Sequence, residues 1–318
     1  MLSMCRFTCF KRITRNHGRK RRSRWLCLLI MVAALNSCVS IPEENWIISH
    51  RTPHMTTMQV TDCAVVAPEL ASMMLPNLSQ ESSAHATLAH GLNANGFSFT
   101  TWNMKKGKAD GWDADFEMLC RNSDIIILQE AYLTDNLKEV LGQQKLQWDL
   151  SAAYAYQNIE AGVLTASKIA PNLTCTLKIK EPLTRIPKSM LITRYPISGL
   201  PQGLLVANIH GINFTLGYKA FQNQCDRLES LLTMHRGPMI VSGDFNTWNQ
   251  SRMSRVEAMA QRLKLGAVPF KENVKSKFFG RYVDHVYYRG FVMINKTTFN
   301  VTTSDHNPLA VMFKAAEG

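Results

Sequence analysis

Apolar residues in this chain recur with two periods, and the boundaries between them predict its elements. Phe97-Ser98-Phe99-Thr100-Thr101-Trp102-Asn103 alternates apolar and polar positions, which predicts a half-buried strand running into the polar loop Lys105-Lys106-Gly107-Lys108. Trp112, Phe116 and Leu119 then follow at near-helical spacing, and Ile125-Ile126-Ile127-Leu128 is a buried strand that stops at Gln129-Glu130. A helix is expected over residues 135–146, strands over 148–158 and 161–167, and further β-rich runs over 189–193 and 204–209, the last ending in His210. Phe221, Cys225, Leu228, Leu231 and Leu232 mark a helix within residues 218–235. Met239-Ile240-Val241 reads as a buried strand ended by Ser242-Gly243, with Asp244 and Asn246 just beyond it. Another helix over 251–265 and strands over 282–288 and 309–313 close the pattern.

The first 95 residues behave differently. Arg19-Lys20-Arg21-Arg22 and Arg24 precede the mostly apolar, uncharged run Trp25 to Leu35, and Asn36-Ser37-Cys38 follows. Eleven residues span about half of a bilayer core as a helix, so residues 1–37 are expected to be a signal peptide or membrane-targeting leader. Leu35-Asn36-Ser37-Cys38 resembles the lipobox of bacterial lipoproteins, which implies lipidation at Cys38 and a lipid-anchored envelope protein on the periplasmic side. An uncleaved signal-anchor in the inner membrane is the alternative. Residues 38–95 lack a sustained period and read as a tether with one short helix near residues 68–75, leaving 96–318 as the catalytic body.

Charge modifies this picture little. Nine of the 36 Lys and Arg, and none of the 24 acids, fall in residues 1–37, so residues 38–318 carry 27 basic against 24 acidic side chains, about +3. Composition therefore does not mark the body as a polyanion binder. Of the eight cysteines, Cys63, Cys120, Cys175 and Cys225 lie in the mature part, where two disulfides in any of three pairings, or buried free thiols, are both open.

Five β-type segments each end in, or begin from, a residue suited to phosphate or metal chemistry: Asn103, Glu130, His210, the Asp244/Asn246 pair, and Asp305-His306. Singly, each has a bland explanation, as a buried histidine, an Asx-turn or a cap. Together, TWN at 101–103, LQE at 128–130, NIH at 208–210, GDFN at 243–246, VDHVYY at 283–288 and SDHNP at 304–308 resemble, in order, the motifs of the endonuclease/exonuclease/phosphatase (DNase I-like) superfamily. The bacterial YafD-like branch is the most similar. The resemblance implies an α/β, four-layered sandwich of two facing mixed sheets, with the site at one edge.

It also implies roles. Glu130, with Asn103 and Asp305 in support, would bind Mg²⁺ or Mn²⁺, a choice that oxygen ligands suit. Asp244 would activate water, Asn246 would bind the scissile phosphate, His210 and His306 would contact phosphoryl oxygens, and Asp284 would hold the tautomer of His306. Arg185, in Arg185-Ile186-Pro187-Lys188, would clamp phosphate. The expected protein is a monomeric, metal-dependent phosphoester hydrolase of nuclease or phosphodiesterase type, with nucleic acid or phospholipid as substrate and the membrane as partner through its anchor. Ala131-Tyr132 follows Glu130 where abasic-site endonucleases carry a Lys, and His210 is nearer the pattern of secreted DNases, sphingomyelinases and phosphoinositide phosphatases. A lapsed adaptor or a structural envelope lipoprotein is the non-enzymatic alternative.

Overall fold

The alternation seen in the sequence becomes two sheets that bury one face of each strand against the other. The computed structural model describes residues 39–42, 46–50, 58–59, 63, 91–215, 217–270 and 276–316. Strand β1 (Val39–Ser40) ends the first of two compact units, Met1–Ser40, and everything below belongs to the second, Ile41–Gly318. In chain order its elements are β2 (Trp46–Ser49), β3 (Met58–Gln59), β4 (Phe97–Asn103), α1 (Trp112–Arg121), β5 (Ile125–Tyr132), α2 (Asp135–Gln143), β6 (Gln147–Tyr156), β7 (Ile159–Ser167) and β8 (Leu173–Lys180). Then come β9 (Pro187–Ile197), β10 (Leu200–His210), α3 (Lys219–Leu232), β11 (Met239–Asp244), α4 (Gln250–Arg262), β12 (Gly266–Ala267), β13 (Lys277–Phe278), β14 (Arg281–Tyr282), β15 (Asp284–Arg289), β16 (Phe291–Thr298) and β17 (Leu309–Ala315).

One sheet runs β16-β17-β4-β5-β7-β6-β2-β3 and the other β12-β15-β11-β10-β9-β8, while β13 and β14 form a separate hairpin. Both sheets are mixed: β4 pairs parallel to β5 and β10 parallel to β11 among antiparallel neighbours. Phe97, Phe99, Ile125, Ile127, Leu309 and Phe313 of the first sheet meet Leu204, Val206, Ile240 and Val286 of the second in one buried cluster. Complete burial of each such side chain is worth about 1.5–3 kcal/mol. The intervening residues face outward and are covered by helices. Ile126, Leu128 and Leu150 pack with Phe116, Leu119, Leu137 and Leu141 of α1 and α2. Leu205, Ala207, Met239 and Val241 pack with Phe221, Leu228, Val256 and Met259 of α3 and α4. The result is the four-layered α/β sandwich that the motifs implied.

One expectation is corrected and one open choice is resolved. The stretch expected to be tether contributes a strand: β2 pairs antiparallel with β6, and Ile47 and Ile48 are buried. Trp46-Ile47-Ile48 is too short a run to show a period, yet it covers the otherwise open edge of β6. The open choice of disulfides resolves to one, Cys63–Cys175, with Cys120 and Cys225 free and buried. The leader, Cys38 and the helix near 68–75 lie outside the described residues. Strands β8 and β16 were not anticipated. Both stand at the edge of a sheet, β8 beside β9 and β16 beside β17, and although β16 opens on the apolar run Phe291 to Ile294, its Val292 and Ile294 are exposed.

Candidate active site

Inward rows that are apolar in mid-strand turn polar at one end of the sandwich. On β4 the row is Phe97, Phe99, Thr101, Asn103; on β10, Leu204, Val206, Asn208, His210; on β11, Ile240, Ser242, Asp244. The step between core and site is a buried polar layer. Gln129 Nε2 donates to Asn208 Oδ1 at 2.8 Å and to Thr101 Oγ1 at 3.3 Å, and Asn208 Nδ2 donates to the carbonyls of Leu164 and Leu128 at 2.9 and 3.1 Å. This layer ties the two sheets together directly beneath the reactive groups.

Register then places those groups side by side. Asp244 is the Cα partner of His210 on one side and of Asp284 on the other. Gly243, immediately before it, has φ 136°, and a Cβ there would lie 2.2 Å from the Ile209 carbonyl oxygen. No other residue type brings β11 that close to β10. Glu130 would point outward by alternation. Instead it adopts φ 50° within the irregularity where β5 slips against β7 between Leu128 and Ala131, and its carboxylate comes to 3.9 Å from His210 Nε2.

The buried cluster is continuous. His306 Nδ1 lies 2.8 Å from Asp284 Oδ2, while His306 Nε2 and His210 Nε2 stand 4.0 and 3.7 Å from Asp244 Oδ2. Asn103 Nδ2 donates to the same oxygen at 3.1 Å, and the backbone N–H of Asn246 donates to Asp244 Oδ1 at 2.9 Å. Asn246, itself at φ 52°, spends one side-chain N–H on the Gly211 carbonyl at 3.0 Å. Trp102 Nε1 fixes the His306 carbonyl at 2.9 Å, and Ser304 Oγ donates to the Asn103 carbonyl at 2.7 Å. The loop of Asp305 and His306 is thereby tied to the end of β4.

Ionisation follows from burial and these partners. Desolvation raises Asp244 to about 6, against the lowering pull of His306 and with the push of Asp284. Burial alone would lower His306, but the Asp284 carboxylate, by charge and hydrogen bond, carries it up to about 10. Burial, then the cations Lys188, His306 and Lys106, depress His210 well below its ordinary value. At neutral pH the site thus holds an imidazolium, a neutral imidazole and a carboxylate poised to take a proton.

Other expected residues sit at the margin. Asp305 pairs with Lys105 at 3.3 Å, and Glu130 with Lys106 at 3.5 Å, both partly exposed. Arg185 is exposed on the loop before β9. The cation that reaches the centre is Lys188, three residues on, whose Nζ is 2.9 Å from His210 Nε2. A lysine opening the apolar run of β9 was the available signal for it. Asn208 and Gln129 were within quoted motifs, but their function as the layer beneath the site needs the facing sheet to be seen.

Glu130 fits a hard divalent cation, being an oxygen donor that already faces a cation and has solvent access. Asp244, Asp284 and His306 also offer donors within 4.8 Å of one another, but Asp284 and His306 are spent on each other.

A four-layered α/β sandwich with this rim of carboxylates, imidazoles and amides defines the class of phosphoester hydrolases of the DNase I-like type. Residues 93–306 match the Endonuclease/Exonuclease/phosphatase family, and the chain belongs to it. A UPF0294 protein of Yersinia pseudotuberculosis is 36% identical over 213 residues, covering 67% of this chain and 82% of that protein. Similar solved structures include the mannosyl-6-phosphatase Bt3783 of Bacteroides thetaiotaomicron, with a TM-score of 0.51 and 17% identity over 68% of this chain and 99% of that one. Another is D. rerio TDP2 complexed with single strand DNA product, also with a TM-score of 0.51, at 14% identity over 69% of this chain and 99% of that one.

Proposed function

We propose that this protein is a metal-dependent phosphoester hydrolase of the phosphodiesterase type. The observation that carries it is the convergence of Asp244 with His210, Asp284 and His306 around one buried carboxylate oxygen, with Glu130 at its edge. Asp244, with its raised proton affinity, takes a proton from the attacking water. His306, held protonated and oriented by Asp284, presents Nε2–H to the charge that grows on the phosphoryl oxygens. Lys188 adds positive charge beside His210, and the remaining N–H of Asn246 donates to the phosphate. A Mg²⁺ or Mn²⁺ ion held by Glu130, with Asn103 and Asp305 in support, would supply Lewis-acid polarisation of the phosphoryl oxygen. The Cys63–Cys175 disulfide supports the same placement as the leader, outside the cytoplasm on a membrane tether through Cys38.

The test is hydrolysis of bis(4-nitrophenyl) phosphate, single- and double-stranded DNA, RNA and phospholipid vesicles, with Mg²⁺ or Mn²⁺ and with chelator. Turnover that stops with chelator, returns with metal and falls on the order of a hundredfold or more in Asp244→Ala is expected. An Asp244→Ala enzyme as fast as wild type would remove the assignment.

A further inference from the structure

Four large apolar side chains stand exposed beside the site: Leu183, Phe214, Phe278 and Phe279, the last 83% accessible. They are connected. The Leu183 N–H donates to the Phe214 carbonyl, and the neighbouring Asn213 accepts Trp248 Nε1–H at 3.1 Å. The Trp248 ring meets Phe279 edge-on at 5.9 Å, Phe279 meets Phe278 edge-on at 6.2 Å, and Phe278 lies stacked on His306 at 6.4 Å. The ridge thus runs unbroken into the reactive cluster.

Two features show that this exposure is built. Phe279 sits at the tip of the β13–β14 hairpin with φ 47°, a conformation that an aromatic residue rarely adopts and that Asn or Gly would hold more cheaply. Beneath the ridge, the buried guanidinium of Arg252 lies between the Phe221 and Trp248 rings and donates to the carbonyls of Ile212, Asn213 and Asn246. The loops carrying Phe214 and Trp248 are thereby fixed to the site.

The chemistry of the ridge selects its occupant. Lys277 and Arg281 flank the aromatic tip, Lys277 lying 5.0 Å over the Tyr282 ring. An apolar tip bracketed by cations matches an anionic bilayer, with rings at the headgroup boundary and ammonium and guanidinium groups at the phosphates. The rings interlock edge to face at 64° and 72°, which gives one continuous apolar surface for acyl chains rather than a row of parallel stacking platforms. We propose that this ridge seats the mouth of the site on an anionic phospholipid surface. On the reading of the site given above, its phosphoester is then presented from a bilayer.

The test uses the full chain with vesicles of brominated phosphatidylcholine and phosphatidylglycerol, reading tryptophan emission; every arm, including the one called wild type, carries Trp25→Phe, which removes the leader tryptophan that the anchor itself would place in the bilayer. Quenching is expected in wild type and to be mostly lost in Trp248→Phe, because Trp248 is the tryptophan on the ridge. The double variant Phe279→Asn/Phe214→Ser should lower that quenching by more than about twofold. Its rate on soluble bis(4-nitrophenyl) phosphate should stay within about twofold of wild type, which verifies that it folds. Trp248 left unquenched by the vesicles overturns the proposal. So does emission from Trp248 that responds to soluble oligodeoxythymidylate and not to vesicles. A wild-type protein inactive on every soluble diester would strike the hydrolase reading alone, since quenching reports the ridge independently.

Discussion

His306 Nδ1 lies 2.8 Å from Asp284 Oδ2, and the other ring nitrogen faces Asp244 at 4.0 Å. The pair makes one imidazole a fixed, positively charged donor beside the carboxylate that takes the proton.

Removing that charge while keeping the shape isolates its contribution. Asp284→Asn should bring His306 from about 10 back toward the ordinary imidazole range. It should also lower kcat by on the order of a thousandfold with little change in fold. Histidine NMR titration and steady-state kinetics read the two effects; an unmoved His306 titration would refute the pairing.

The same pair sets a pH dependence. Because His306 in the folded protein lies above its ordinary value of 6.5, its pairing stabilises fully below that pH and the stabilisation is lost as pH rises through about 10. The melting temperature of the metal-free protein should therefore fall from about pH 6.5 to about pH 10, while Asp284→Asn should flatten that decline. Activity should rise through about 6 as Asp244 ionises and fall again toward about 10.

Lys188 is expected to matter more than Arg185. Lys188→Met should raise the His210 titration, since its ammonium is among the cations that depress it, and lower kcat by roughly ten- to a hundredfold. Arg185→Ala, on an exposed loop, should stay within about threefold of wild type. Parallel kinetics of the two variants decide between them; equal losses would contradict the geometry.

Asn208 tests the polar layer. Asn208→Leu takes one hydrogen-bond partner from each of the Leu128 and Leu164 carbonyls and the Gln129 amide, all buried, at a cost of about 2–4 kcal/mol. Denaturant unfolding should show this loss, and residual activity should drop because Glu130 follows Gln129 directly. A neutral Asn208→Leu would mean that the layer is dispensable.

The Cys63–Cys175 bridge closes a separation of 112 residues, and in the chain-entropy view such a loop is worth about 3–5 kcal/mol. Cys63→Ser/Cys175→Ser should lower the unfolding midpoint accordingly, and reductant should destabilise wild type but not the double variant. Equal midpoints with and without reductant would argue that the bridge carries no stability.

The sequence by itself determined the strands whose rows alternate or run apolar, such as Phe97 to Asn103 and Met239 to Val241, and the helices marked by Phe116, Leu119, Phe221 and Leu228. It also supplied every residue of the central cluster except Lys188, because chemistry at strand ends leaves polar residues where an apolar row should continue. What it could not hold is anything that depends on a partner strand or a facing sheet. Trp46 to Ser49 is a strand because the edge of β6 accepts it, and Cys63 found Cys175 among three possible pairings because the fold brought their backbones together. Glu130 reaches the site through a local left-handed turn that breaks the alternation, and Lys188 displaces Arg185 as the central cation because β9 extends to Pro187. Periodicity records which face a residue prefers. Which residues from distant strands share that face is decided by register, and register is a property of the assembled sheets.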